Sequence, residues 1–185
     1  MPRMSLFLLW LCLCNSAWAL NPARLDNTDV RLSLGPHMSY LEDPRGSLRL
    51  QDVQNTPSER FQPVNHDHVN LGKNTSVWWF RVELDNRLTE ALPGFVEINY
   101  PLLDHLQVYL QTPDGRVSQQ ESGDRFAFSQ RPVQVRNFWF PLQLPSGNSQ
   151  LLIRVDTSST VLFPVYFSTY AANAAAQEDL MAWNG

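Results

Sequence analysis

Residues 76–84 constrain the fold more than any other stretch of the chain. Read with a period of two, Trp78, Phe80, Val82 and Leu84 fall on one side and Val77, Trp79, Arg81 and Glu83 on the other. That is the alternation of a strand with one buried face. The first set is predicted to enter the core. The second places an outward tryptophan beside an outward arginine, a pair that is costly to leave idle on a soluble surface and useful for holding a ligand.

The same alternation recurs along the chain. Val30, Leu32 and Leu34 form a first strand ended by Gly35-Pro36, and residues 39–43 a short second one running into the turn Pro44-Arg45-Gly46. Residues 47–53 read either as a strand or as a single helical turn, and residues 55–63 as irregular chain pinned by Phe61. Beyond residue 76, strands are expected over 95–100, 105–110, 116–121, 138–144, 151–155 and 161–167, at about the spacing of a sandwich. The tetrapeptide Thr112-Pro113-Asp114-Gly115 is a turn, because proline pre-sets one central φ and glycine tolerates the exit. Pro141 within 138–144 points to an edge or a bulge. About eight or nine strands with no long helix between them predict an all-β fold, a jelly-roll-like β-sandwich of two mainly antiparallel sheets.

The ends read differently. Arg3, the apolar run 6–13 and Ala17-Trp18-Ala19 have the form of a secretory signal peptide, so residues 1–19 are expected to be removed and residues 20–170 to form an exported, periplasmic domain. Cys12 and Cys14 both lie in the leader, which leaves the mature domain without a disulfide or a thiolate. Residues 171–185 are Ala-rich and read as a helical tail, whose apolar run falls far short of the ~20 residues a membrane span requires. A formal charge of -4 gives no basic footprint, which argues against nucleic acid.

The strongest candidates for chemistry are Trp79 and Arg81, since an aromatic face stacks on a sugar ring while a guanidinium donates a fork of hydrogen bonds. The plainer alternative has Trp79 covered by another segment and Arg81 paired with an acid. Tyr109 and Trp139 point outward by the same alternation and extend the platform if their strands share its sheet. Arg136 and Arg154 add anion-binding donors. Glu42, Asp43, Asp104 and Asp156 are hard oxygen donors at expected strand ends, suited to a calcium ion, although Asp43 serves equally as a turn cap. His66 and His68 flank Asp67 at a metal-like spacing, but a cupin-like enzyme wants a glutamate soon after, and position 72 is Gly72. With no phosphate loop or nucleophile elbow, binding is favoured over catalysis.

Several of these motifs, in order, carry a resemblance: Tyr40-Leu41-Glu42-Asp43-Pro44, Leu71-Gly72, Val77-Trp78-Trp79-Phe80-Arg81, Asn99-Tyr100-Pro101-Leu102-Leu103-Asp104-His105-Leu106, and 151–155. Together, over residues 30–170, they resemble the periplasmic type 2 sensory domain of seven-transmembrane receptors with diverse intracellular signalling modules. Within that family the likeness leans towards the hybrid sensor histidine kinases RetS and LadS, and of the two towards LadS. The resemblance implies a fold like that of carbohydrate-binding modules and a non-catalytic sensory role in two-component signalling. It also implies a full-length receptor that is a histidine kinase, joined to the membrane by a segment following the tail. The partners expected are a small-molecule or glycan ligand, a second copy in a homodimer, or another sensor kinase. The competing reading is a protein interaction module using the same surface, and behind it a metal-dependent cupin-like enzyme.

Overall fold

The computed structural model describes residues 21–64 and 66–173. The expected leader, and the tail from residue 174 onward, lie outside the described residues. Among the described residues twelve strands follow one another: β1 (Ala23–Leu25), β2 (Arg31–Ser33), β3 (Met38–Asp43), β4 (Gln62–Pro63), β5 (His68–Lys73), β6 (Val77–Asn86), β7 (Leu92–Ile98), β8 (His105–Gln111), β9 (Val117–Ser122), β10 (Phe138–Leu144), β11 (Gly147–Asp156) and β12 (Thr160–Thr169). A short helix, α1 (Leu50–Gln54), interrupts them. No helix among the described residues is long and apolar enough to cross a membrane.

The strands form a jelly-roll-like sandwich. The larger sheet runs β4-β3-β6-β11-β8-β9, and the smaller runs β10-β7-β12-β2, with β5 also on β12. Pairing is antiparallel except for β1, which lies parallel to the far half of β6, with Ala23 opposite Leu84. Trp78, Phe80, Val82 and Leu84 all point into the space between the sheets, as their spacing predicts. There Phe80 stacks on Phe163 of β12 with ring centroids 4.4 Å apart. Pro141 is accommodated because β10 is the last strand of its sheet, where a missing N–H costs no ladder bond.

Three strands, β1, β4 and β5, go beyond what the sequence predicts. They are short or polar, and they exist because longer neighbours offer them a hydrogen-bonding edge. The polar loop expected around His66–His68 runs straight into β5, and all three of its side chains are exposed.

A second, smaller apolar cluster lies outside the sandwich. Residues 44–61 leave β3, pass through α1 and a 3-10 turn (Ser58–Arg60), and return in β4, where Tyr40 pairs with Gln62 and Ser39 with Pro63. The excursion lays Val53 and Phe61, flanked by Leu48 and Leu50, over Leu41, Val77, Trp79, Tyr109 and Leu152 on the outer face of the larger sheet. Its first turn is made by Gly46 at φ 62°, where a Cβ would come 3.1 Å from Val77 Cγ2. Gly46→Ala is therefore expected to lower stability by about 1–2 kcal/mol, read as a shift in the urea midpoint.

Candidate functional site

Register fixes which candidates meet. β6, β11 and β8 are adjacent, with Arg154 opposite both Trp79 and Gln107, and Leu152 opposite both Arg81 and Tyr109. Trp79, Arg81, Tyr109 and Arg154 thus share the outer face of the larger sheet. Trp79 and Tyr109 stack with centroids 5.9 Å apart at 22°.

This face is not open. The outward tryptophan expected on the surface has 0% exposure, because residues 44–61 cover it. Its indole N–H is buried and has no hydrogen-bond acceptor among the described residues. Arg81 is half-buried with its guanidinium 3.8 Å from the centre of the Phe61 ring, and it makes no ion pair among the described residues. Burial holds its pKa below the ordinary arginine value, while Glu83 and Glu59 pull the other way. Burial likewise raises the Tyr109 phenol, against the nearby charge of Arg154. Arg154 reaches Asp156 at 3.3 Å.

Trp139 and Arg136 are elsewhere. Trp139 projects from β10 on the outer face of the smaller sheet, half-buried and stacked on Phe95 at 4.2 Å, so it extends a different surface from that of Trp79. Arg136 is exposed in the preceding loop. On this second face the buried carboxylate of Glu97 accepts from Arg31 at 3.2 Å and from Asn137 at 3.3 Å, and Arg31 lies over the Tyr166 ring. Glu97 is outward by the alternation of Val96 and Ile98, which was the available signal for it.

The four acids considered for calcium do not converge. Asp43 accepts the backbone N–H groups of Ser47 and Leu48, the turn-capping role. Glu42 holds the Ser76 hydroxyl at 2.6 Å. Asp104 accepts the Ser158 backbone N–H and hydroxyl, both at 2.7 Å, and Arg125 at 3.0 Å, while Asp156 holds Arg154. Among the described residues no three His, Cys, Asp or Glu side chains are grouped to hold a metal ion. The residues present do not fit a shared calcium site. A cleft of about 410 Å³ at the other end of β6, lined by Leu88, Pro93, Thr169 and Tyr170 among others, includes none of the candidates.

Comparison with known proteins bears on this geometry. Among curated proteins none matches the chain significantly. One solved structure, from a study of the promiscuous specificity of carbohydrate-binding modules of the β-sandwich superfamily, is similar at 15% identity over 55% of this chain and 50% of that one. The TM-score of 0.28 is too low to carry an argument. The family model described as 7TMR-DISM extracellular 2 matches residues 35–169. That span runs from the turn after β2 to the last residue of β12 and takes in both faces described above. The chain belongs to the 7TMR-DISM extracellular 2 family, the extracellular sensory domains of seven-transmembrane receptors.

Proposed function

We propose that this chain is the periplasmic ligand-sensing domain of a membrane-bound hybrid sensor histidine kinase of the LadS or RetS type, and that it takes a carbohydrate-like ligand on the outer face of the larger sheet. The family match over residues 35–169 is the observation that carries the sensory reading. The choice of face is supported by the gathering of Trp79, Tyr109, Arg81 and Arg154 on neighbouring strands, a stacked aromatic pair between two guanidinium groups. A divalent cation such as calcium is the competing ligand class. It is less well supported, because each candidate acid already has its own partner.

Occupancy acts on the linked kinase only through a difference in affinity between two arrangements of the domain. The chain after β12 is the element proposed to feel that difference. A ligand at a hundred times its Kd stabilises by about 2.7 kcal/mol, a rise in Tm of about 5–10 °C for a domain of this size. Thermal unfolding of the purified chain with neutral sugars, acidic sugars, calcium and EDTA is the test. A rise with one sugar class supports the reading, and no rise with any of them removes it.

A further inference from the structure

The segment over Trp79 is attached differently from the strands beneath it. Its hydrogen bonds are local: Val53 N–H to Arg49, Asn55 N–H to Gln51 and Phe61 N–H to Ser58, with the Asp43 carboxylate holding Ser47 and Leu48 at its root. Among the described residues, one hydrogen bond joins it across to the sheet, from Gln54 Nε2 to Gln111 Oε1 at 2.9 Å. The rest of what holds it down is apolar contact through Val53, Phe61, Leu48 and Leu50, together with the Phe61 ring over the Arg81 guanidinium. Lifting it breaks no rung of the ladders that join β6 to β3 and β11. A segment packed on a sheet without joining its ladders is the kind that opens as a unit of its own.

The surface beneath is rich in donors. Trp79 offers an indole N–H that is fully buried and has no acceptor among the described residues, an arrangement that native interiors rarely leave unexplained. Arg81 offers a guanidinium whose present neighbour is an aromatic ring and not an anion. The nearest carboxylates by their influence on Arg81 are Glu83, which already accepts from Gln150 at 2.8 Å, and Glu59, which belongs to the segment itself and departs with it. The Tyr109 hydroxyl forms no hydrogen bond to a described residue. Asp156 is already held by Arg154.

We propose that residues 44–61 are a displaceable cover, and that the ligand admitted beneath it carries a carboxylate on a sugar ring, a hexuronic acid residue. The ring lies against the Trp79–Tyr109 pair in place of Phe61, and its carboxylate accepts from Arg81 and from the Trp79 N–H. The inference rests on the proposed ligand face and adds to it both the gate and the charge of the ligand.

Two measurements on the purified chain test it. The first needs no ligand. In hydrogen exchange, the amides of Val53, Asn55 and Phe61 are expected to exchange at least about tenfold faster than those of Phe80 and Ile153. Equal protection overturns the cover. The second is titration with glucuronate and with glucose. Glucuronate is expected to bind about tenfold or more tightly than glucose, Arg81→Met to abolish that preference, and Gln54→Ala to tighten glucuronate binding about two- to tenfold by easing the opening. Should Gln54→Ala have no effect, Val53→Ala loosens the same packing, and affinity unmoved by both variants overturns the gate. Glucose binding as tightly as glucuronate overturns the carboxylate while the sugar-sensing reading stands. Failure of every sugar to bind overturns both, and the exchange result is then read on the cover alone.

Discussion

Trp79→Ala is expected to destabilise the domain by about 3–5 kcal/mol, a cost in the range of core aromatic truncations. The stack on Tyr109 and the packing under the Val53 and Phe61 segment are lost at once, and the hole lies between a sheet and a segment that has little else to hold it. Trp139→Ala is the useful comparison, since its ring is only partly buried where it stacks on Phe95. It is expected to cost less than half as much. Urea denaturation of the two variants measures the difference. A loss of under about 1 kcal/mol for Trp79→Ala would mean that the ring is surface after all.

Asp104→Ala carries the next largest effect, about 2–4 kcal/mol near neutral pH. The carboxylate is buried at the start of β8 and ties that strand to the turn between β11 and β12 through the backbone N–H and hydroxyl of Ser158. Arg125 adds a third donor, but its side chain is 62% exposed and contributes little. The Ser158 backbone N–H is the largest cause of a pKa below the usual aspartate value, followed by the Ser158 hydroxyl and Arg125, against the opposing effect of burial. A carboxyl depressed in the folded state stabilises above its unfolded value, ~3.9, and loses that contribution as pH falls through its folded value. Asp124 behaves oppositely. Burial first, and then the charge of Asp104, push its pKa up. Its contribution is present at low pH and lost as pH rises through the raised value. Between them, these two groups are expected to add stability as pH falls through the raised Asp124 value, and to withdraw it as pH falls from ~3.9 towards the folded value of Asp104. In Asp104→Ala the acid limb is lost and the Asp124 limb shrinks only by the part that the Asp104 charge supplies, since burial remains, which urea midpoints between pH 3 and 7 would register.

Period-two alternation places side chains relative to the space between two sheets, and at that it succeeds: Trp78, Phe80, Leu106, Val108, Ile153 and Phe163 are all buried there. It says nothing of a further layer. Trp79 does point away from the sandwich, yet it is covered by a segment whose Leu48, Leu50, Val53 and Phe61 follow no single period. Four apolar residues in an otherwise polar stretch were the sign that something outside the sandwich needed burying. Strand adjacency is equally non-local. Tyr109 reaches Trp79 because β11 pairs with both their strands, and Trp139 does not because β10 was recruited by β7. The turn-capping role of Asp43 was readable in advance because proline and glycine follow within three residues.

The position of β12 has a mechanical corollary. It is held by β7 along one flank and by β2 and β5 along the other, and residues 170–173 continue from it as helix. A pull or twist delivered to that continuation is borne in shear by rows of bonds on two sides at once, not peeled open one bond after another. The half of β12 nearest that continuation, laddered on both flanks, would take such a load together with the rest of its sheet.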